Sequence, residues 1–273
     1  MLLRKVRFAH LAAAALATNG PATGRILLVR HGETNFNADG RLQGRLESQL
    51  TDTGHSQASA LGEWLARAEA GQVTRVFVSP RRRTRETLAN IEAGHEKGLP
   101  APEVRPGLRE IELTMWEGQH RTELKDANGA DDMERWKEWK AHPSSFVFKE
   151  DGHAPLGDLK RRAAEEWAAL VAATPPDTTS LVVAHGAFNR VLVQTALGLA
   201  VDDFGFGDKH FAFDNCATVE LLVPAGAAHA SAWRKRYPSE SEWMSQEEEV
   251  ERRRREEGSP TPTGGASTDK TEV

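Results

Sequence analysis

Short apolar runs alternate with amphipathic segments along most of this chain. Apolar residues recur every three or four positions in the stripe Leu61, Trp64, Leu65 and Ala68, which predicts a helix. Four apolar, partly β-branched runs predict strands: residues 26–29, 75–78, 180–184 and 217–223. Strands that alternate with helices indicate an α/β protein, with three α/β/α layers around a mostly parallel central sheet.

Three predicted helices follow predicted strands. One opens at Thr51-Asp52-Thr53-Gly54, a second runs from Ser79 to about Ile91, and a third follows Gly186. Residues 114–156 are less regular and contain several tryptophans, so we interpret them as an excursion that could roof a pocket.

The charge pattern changes after residue 238. Glutamates stand four residues before arginines at 248/252, 249/253 and 251/255, which favours an exposed helix over 239–257 with a solvated arginine run at 252–255. Contact of that run with nucleic acid or membrane is the less favoured interpretation. Residues 258–273 are rich in Ser, Thr, Pro and Gly and are predicted to be disordered.

Composition narrows the class of protein. The chain has 273 residues, of which 39% are hydrophobic, and no apolar run approaches the ~20 residues of a membrane span. The net charge of −5 argues against general nucleic-acid binding, and the single Cys216 excludes an internal disulfide framework. We therefore expect a soluble intracellular protein, either cytoplasmic or organellar.

Residues 1–24 are predicted to be an N-terminal extension. They contain no acidic residue, and Arg4, Lys5 and Arg7 precede an alanine-rich stretch at 11–17. An organelle transit peptide, as in a plastid or mitochondrial protein, and a disordered extension both fit this pattern. A secretory signal fits less well, because His10 interrupts an already short apolar region.

The most informative residues are Arg30, His31 and Gly32, which directly follow the first predicted strand. Ligands of open α/β sheets bind beyond the carboxyl ends of the strands, and glycine allows a bound group to approach the backbone. A second pair, His185 and Gly186, follows the strand at 180–184. Either histidine alone could be structural, but two at one sheet edge indicate a site.

An arginine-rich segment follows the second strand. Ser79 and Pro80 predict an N-cap and first helical position, and four arginines stand at 81, 82, 83 and 85. Cations at the positive end of a helix are unfavourable unless an anion or acidic neighbours neutralise them. The segment therefore predicts an anion receptor, with full solvation of all four arginines as the alternative.

Three glutamates compete for a proton-transfer role: Glu110, Glu112 and Glu117. A carboxyl group that is held partly protonated could donate to a leaving oxygen and later accept a proton from water. The spacing alone leaves all three open.

Taken together, the chain resembles the histidine phosphatase superfamily, the phosphoglycerate mutase-like fold, over residues 25–238. The motifs that carry the resemblance appear in the family's order: Arg30-His31-Gly32-Glu33-Thr34, Leu42-Gln43-Gly44 with Leu50-Thr51-Asp52-Thr53-Gly54, Ser79-Pro80-Arg81-Arg82-Arg83, Leu108-Arg109-Glu110 with Trp116-Glu117-Gly118, and Val182-Val183-Ala184-His185-Gly186.

The resemblance implies a covalent mechanism without metal or other cofactor. His31 would attack a phosphoryl group, while Arg30, Arg83, His185 and backbone N–H groups hold its oxygens. Glu110 would protonate the departing alcohol and then activate water. Further contacts to substrate or phosphate are expected from Asn37, Gln43, Gly44 and Gly186.

The chain departs from the family pattern near the site. It has Gly152-His153-Ala154-Pro155 where relatives often have Gly-Glu-Ser, and we favour a solvent-facing His153 over a binding role. Arg81 and Glu86 replace an apolar residue and a glutamine, which would add charge at the mouth of the site.

Three functions remain open at this stage. The favoured one is hydrolysis of a small, anionic phosphomonoester, such as a sugar phosphate or a sugar-acid phosphate of the carboxyarabinitol phosphate kind handled by some plant and algal relatives. The alternative is phosphoglycerate mutase-type transfer; the stretch between Glu110 and His185 is shorter than the insertion usual in mutases, which favours hydrolysis. A non-catalytic protein that binds partners through a phosphate pocket is the third. We expect no nucleic-acid or membrane partner, and the oligomeric state is undetermined.

Overall fold

A seven-stranded sheet forms the centre of the protein, with strand order β3-β2-β4-β1-β5-β6-β7. The computed structural model describes residues 22–69, 72–239 and 244–257. The strands are β1 (Thr23–Arg30), β2 (Val73–Val78), β3 (Pro102–Val104), β4 (Thr179–Ala184), β5 (Thr218–Pro224), β6 (Ala232–Tyr237) and β7 (Met244–Ser245). The helices are α1 (Asn35–Ala38), α2 (Asp52–Ala68), α3 (Arg82–Gly94), α4 (Met133–Ala141), α5 (Pro155–Ala173), α6 (Gly186–Ala196), α7 (Asp203–Gly207) and α8 (Gln246–Glu257).

The central part of this sheet is parallel, as predicted. β3, β2, β4 and β1 pair in parallel, whereas β5, β6 and β7 continue the sheet in antiparallel pairs. β4 is buried along its whole length and β1 along most of it, which explains their nearly continuous apolar sequences. All four predicted strands are present; β3, β6 and β7 lack a comparable apolar run.

Helices cover both faces of the sheet and complete three layers. Leu61 and Leu65 of α2, with Ile91 of α3, pack on one face against β1, β2 and β4. On the other face, α5 and α6 bury residues such as Leu159 and Val191 in a larger core. The predicted α/β/α architecture is therefore confirmed.

The predicted start of α3 is wrong. The helix begins at Arg82 with Arg81 as its N-cap, and no side chain caps it. Ser79 stays outside the helix because its hydroxyl is hydrogen-bonded to His185 instead. A tertiary contact thus overrides the local capping signal.

The excursion at 114–156 folds around aromatic side chains. It contains a 3-10 turn (Thr114–Trp116) and α4, and Trp116 is fully buried against Phe146 and Phe148. The Trp116 indole N–H donates to Asp132 at 2.6 Å. These side chains extend the larger of the two hydrophobic cores, the one that also contains Leu159 and Val191.

The C-terminal helix packs on the domain, so the solvated arginine run is partly a wrong prediction. Glu249 and Arg253 are buried, and Arg252 contacts Asp208 and Glu249. Of the predicted pairs, Glu251 with Arg255 is present on the exposed face. The predicted disordered tail and residues 1–21 of the N-terminal extension lie outside the described residues. Within the described ranges, no helix has the length and apolar character needed to cross a bilayer.

A buried ionic cluster ties β1, β5, β6 and the end of α2 together. The Glu220 carboxylate is 1% exposed and accepts from Arg25, Arg234 and Arg236 at 2.6–2.9 Å. Arg236 also reaches Glu69 at 2.8 Å. The arginine charges outweigh the effect of burial and lower the pKa of Glu220.

We expect Glu220→Gln to destabilise the fold by up to roughly 3–5 kcal/mol, because three guanidinium groups lose the carboxylate that they share while Glu69 still pairs with Arg25 and Arg236. Urea denaturation measures this free energy. Glu165→Gln is the matched control, since the Glu165 side chain is 63% exposed and pairs with Arg161, and an exposed pair is worth at most about 1 kcal/mol. Equal losses in the two variants would contradict the prediction.

Candidate active site

Three parallel strands end at one edge of the sheet, and each is followed by a residue of the site. His31 follows β1, Ser79 follows β2 and His185 follows β4. The His31 N–H donates to the Ala184 carbonyl at 3.0 Å, and the Ser79 N–H donates to Val183 at 3.1 Å. The two predicted histidines therefore lie side by side, with ring centroids 5.4 Å apart.

The His31 imidazole is held in one tautomer. Its Nδ1 lies 2.8 Å from the Gly32 carbonyl oxygen, which can only accept, so Nδ1 carries the proton and Nε2 carries the lone pair. Burial, together with the charges of Arg83 and Arg30, lowers the pKa of His31 well below its usual range. The ring is therefore neutral at pH 7 and offers an unprotonated Nε2.

His185 is fixed in the opposite tautomer. The Arg83 Nε–H donates to His185 Nδ1 at 3.2 Å, so Nδ1 must accept. The proton then lies on Nε2, which donates to the Ser79 hydroxyl at 2.8 Å. Burial and the charge of Arg83 lower the pKa of His185 well below its usual range.

Arg83 is the arginine of the α3 segment that enters the site. Its side chain is fully buried, and its two Nη atoms donate to the carbonyls of Leu46 and Gly44 at 2.9 Å. Burial lowers the pKa of Arg83 to about 10. Gly44 has a φ of +49°, which favours glycine, and an added Cβ would lie 2.1 Å from Glu117.

Arg30 reaches the same edge from the end of β1. One Nη donates to the Phe213 carbonyl at 2.6 Å, while its buried Nε has no hydrogen-bond partner among the described residues. Burial lowers the pKa of Arg30, and the Glu110 charge opposes that effect. Gly186 makes room for this side chain, because an added Cβ would lie 3.3 Å from Arg30 Nε.

Within the described residues, neither Arg30 nor Arg83 forms an ion pair with a carboxylate, although the Glu110 charge acts on both from a distance. Within the described part of the chain their direct partners are carbonyl groups and an imidazole. The neighbouring arginines differ, because Arg81 pairs with Glu47 and Arg82 pairs with Glu86. Acidic neighbours thus pair with Arg81 and Arg82, whereas Arg30 and Arg83 form a positive site.

Glu110 is held at the start of α6. Its carboxylate accepts from the backbone N–H groups of Ala187 at 3.2 Å and Phe188 at 3.0 Å, and also from Ile111 at 2.9 Å. A helix start favours an anion through its free N–H groups and dipole. Of the three competing glutamates, this one contacts the helix that follows His185. Glu117 instead accepts from Arg45 and from the Leu113 N–H.

Asn37 and Gln43, both predicted to contact substrate, make local hydrogen bonds. The Asn37 Oδ1 accepts from Thr34 in a capping box at the start of α1. The Gln43 Oε1 accepts from the Ser48 hydroxyl at 2.7 Å. Their amide oxygens therefore support the loop that follows His31.

Several supporting residues were missed from the sequence. Ser79 orients His185, Asn215 donates to the His31 carbonyl at 3.0 Å, and the Gly32 N–H donates to Thr87 at 2.9 Å. Gly54 passes so close to the loop after His31 that an added Cβ would lie 2.1 Å from the Glu33 carbonyl oxygen. In the sequence, the one signal for these contacts is Gly54 in the segment Thr51-Asp52-Thr53-Gly54.

Glu86 and His153, two residues that depart from the family pattern, form hydrogen bonds within the protein. Glu86 accepts from Arg82 and from the Leu50 N–H, so its charge is not free at the mouth of the site. His153 is half-buried, and its Nε2 lies 3.1 Å from the Glu112 carbonyl. The expectation that His153 faces solvent is wrong.

Within residues 22–69, 72–239 and 244–257, no cluster of three or more His, Cys, Asp or Glu side chains is arranged to hold a metal ion.

Comparison with known proteins agrees with this geometry. The model of the histidine phosphatase superfamily (branch 1) matches residues 26–236. The chain therefore belongs to the histidine phosphatase superfamily, as its motifs predicted.

The curated relatives include both phosphatases and a mutase. The 2-carboxy-D-arabinitol-1-phosphatase of Triticum aestivum is 38% identical over 181 residues, which are 66% of this chain and 34% of that protein. The glucosyl-3-phosphoglycerate phosphatase of Mycolicibacterium vanbaalenii is 32% identical over 184 residues, 66% of this chain and 77% of that one. A Cronobacter sakazakii protein named as a phosphoglycerate mutase is 28% identical over 212 residues, 77% and 89% of the two chains.

The chain spans about a third of the length of the plant relatives that it matches. Among solved structures, Bacillus stearothermophilus YhfR superposes with a TM-score of 0.64 at 26% identity, covering 76% of this chain and 95% of that chain. The fold is phosphoglycerate mutase-like.

We expect nitrogen-15 NMR at pH 7 to show His31 as the Nδ1–H tautomer and His185 as the Nε2–H tautomer, both neutral. Because both pKa values are lowered, the neutral forms persist as the pH falls below the ordinary histidine value of about 6.5. Assignment comes from the spectra of His31→Gln and His185→Gln. An imidazolium signal from either ring at pH 7, or exchanged tautomers, would contradict the geometry described above.

Proposed function

We propose that this protein is a metal-independent phosphoric monoester hydrolase that acts on a small phosphorylated metabolite through a phosphohistidine at His31. The observation that carries the proposal is the buried Arg83 and the partly buried Arg30, neither of which forms an ion pair with a carboxylate among the described residues, beside a neutral histidine with a free Nε2 lone pair. An uncompensated buried cation is costly, and a dianionic phosphoryl group offsets that cost.

In the first step, His31 Nε2 attacks phosphorus, a P–N bond forms and the P–O bond to the alcohol breaks. Arg30 and Arg83 bind the equatorial oxygens as negative charge spreads over them. His185 joins them through Nε2–H, exchanging its hydrogen bond with Ser79 for one with the phosphoryl group. The phosphoryl anion itself favours a proton on His185 and so strengthens that interaction.

Glu110 completes both proton transfers in this proposal. Its protonated form donates to the departing alcohol oxygen, and the resulting carboxylate then takes a proton from the water that attacks the phosphohistidine. Water supplies the oxygen of the released phosphate, His31 regains its lone pair and Glu110 regains its proton. The hydrogen bonds from the start of α6 support this role by fixing the position of the Glu110 carboxyl group, and they favour its carboxylate form, which accepts the proton from water.

The remaining predicted contacts belong to the loop around this site. Gly44 binds Arg83 through its carbonyl, and Gly186 admits Arg30. Asn37 and Gln43 retain their amide nitrogens for substrate. We propose substrate contacts for these residues through backbone groups and amide N–H groups.

We propose hydrolysis over mutase activity, and a phosphorylated sugar or sugar acid as the substrate class. Relatives named as phosphatases for 2-carboxy-D-arabinitol 1-phosphate and glucosyl-3-phosphoglycerate support this choice. The relative named as a phosphoglycerate mutase keeps the alternative open, because transfer back to substrate uses the same phosphohistidine. The two activities differ only in what accepts the phosphoryl group.

We expect His31→Ala to lose at least about 10⁴-fold in kcat on p-nitrophenyl phosphate. Substrate labelled in its phosphoryl group should leave label on the wild type that is stable in alkali and released by acid, the behaviour of a P–N bond. His142→Ala is the matched control, because its side chain is 67% exposed, and it should keep both activity and label. Labelling of His31→Ala would overturn the assignment of the nucleophile.

We expect phosphate release to continue in EDTA, because arginine side chains rather than a metal ion supply the positive charge. With 3-phosphoglycerate in EDTA, phosphate should form faster than 2-phosphoglycerate. Predominant isomerisation would favour the mutase alternative, and loss of activity in EDTA would contradict metal independence. A wild type that neither releases nor transfers phosphate from either substrate would favour the non-catalytic alternative.

A further inference from the structure

The loop that carries Glu110 lies along one stripe of α5. Asp158, Arg162 and Glu166 stand four residues apart and therefore share a face of this helix. Arg162 Nη1 donates to the carbonyls of Gly107 at 3.0 Å and Arg109 at 2.7 Å, and its Nη2 donates to the carbonyl of Glu110 at 3.0 Å. One guanidinium thus binds three carbonyls of a four-residue segment.

These hydrogen bonds are partly buried and replace those of regular structure. The segment 107–110 leaves a 3-10 turn and joins no strand, so its carbonyls need other donors. Arg162 is 5% exposed, and its Nε donates to Asp158 at 2.7 Å, which holds the charged fork in place. The planar guanidinium presents several donors in fixed directions, which a lysine ammonium cannot reproduce.

Neighbouring contacts bring the same helix and loop close together. Glu166 accepts from Arg105 Nε at 2.6 Å. Gly107 has no space for a side chain, because an added Cβ would lie 2.0 Å from a Glu166 carboxylate oxygen. His153, just before α5, binds the Glu112 carbonyl on the other side of Glu110. The backbone around Glu110 is therefore held from α5, while its carboxylate is held from α6.

We propose that Arg162 is a positioning residue for Glu110 and that, through the Glu110 backbone, it controls protonation of the leaving alcohol. This inference rests on the proposed function. A catalytic group displaced by about 1 Å can lose about 10²-fold in rate, so loosening the carbonyls of residues 107–110 weakens the acid without touching the phosphoryl site. Among the described residues, no hydrogen bond or ion pair joins Arg162 to Arg30, Arg83, His31 or His185; its charge is the smallest of the contributions that lower the pKa of His185.

The leaving group separates this role from general stability. A p-nitrophenolate leaves without help from an acid, whereas phenolate and alkoxide require protonation, so only the poorer leaving groups report the placement of Glu110. The value of kcat/KM reports only the steps up to and including formation of the phosphohistidine. It therefore isolates the step in which the alcohol departs. A structural defect alone lowers activity equally on all substrates, because it reduces the amount of active enzyme.

The experiment measures kcat/KM of the full chain on p-nitrophenyl, chlorophenyl and phenyl phosphate. For Arg162→Met we expect a loss of about 10- to 100-fold on phenyl phosphate and at most about 3-fold on p-nitrophenyl phosphate. Arg161→Met is the matched control. Arg161 is the next residue of α5, is 60% exposed, and binds Asp158 and Glu165; its variant should follow the wild type on all three substrates.

Two further variants keep the test decisive if Arg162→Met folds poorly. Arg162→Lys retains the charge beside Asp158 but reaches fewer carbonyls, so its dependence on the leaving group should lie between those of wild type and Arg162→Met. In Glu110→Gln the acid is absent, so adding Arg162→Met should cause little further loss on phenyl phosphate. Losses that multiply in the double variant, or that are equal on all substrates, would overturn the positioning role.

The outcomes also separate this inference from the proposed function. A wild type with no phosphatase activity on any substrate overturns both. If the wild type is active and kcat/KM of the Arg162 variants depends on the leaving group as it does in the wild type, only the role of Arg162 is overturned.

Discussion

The parallel pairing of β1 with β4, and of β4 with β2, sets the positions of the two histidines at the candidate site. The register aligns Arg30 with Ala184 and Val78 with Val183, so the next residue of each strand emerges at one edge. His31, His185 and Ser79 meet there because backbone hydrogen bonds leave them no alternative. The apolar faces of these strands, buried under helices on both sides, hold that pairing in place.

The positive charge of the site depends on which arginines form ion pairs with carboxylates. Arg25, Arg234 and Arg236 meet Glu220 on β5 and contribute to the fold. Arg30 and Arg83 instead donate hydrogen bonds to backbone carbonyl groups. Dipoles orient a guanidinium without cancelling its charge, so these two remain available for a phosphoryl group. Burial, together with this charge, lowers the pKa of both histidines and keeps them neutral, as the proposed attack by His31 requires.

In the proposed mechanism Glu110 is the acid and His31 the nucleophile, and different elements of the fold hold their loops. The His31 loop is held by Gly54, Thr87 and Asn215. The Glu110 loop is held by α5 and by the start of α6. Different elements therefore hold the two loops, and in the proposed mechanism changes on α5 act mainly on the proton transfer by Glu110.

The sequence alone determined the layer architecture, the four main strands and the identity of the central residues. Apolar runs on buried strands and chemistry at their ends are local signals, and the ordered motifs of the family distinguished Arg83 and Glu110 from their neighbours. The roles of these residues remain part of the proposal. Only the tertiary structure decided the start of α3, where Ser79 binds His185 rather than capping a helix, and the burial of Glu249 and Arg253 on α8. It also decided the contacts of Arg162 with the Glu110 loop, 52–55 residues earlier in the chain. Such contacts depend on which polar groups meet across the fold, and hydrophobic periodicity carries no information about that.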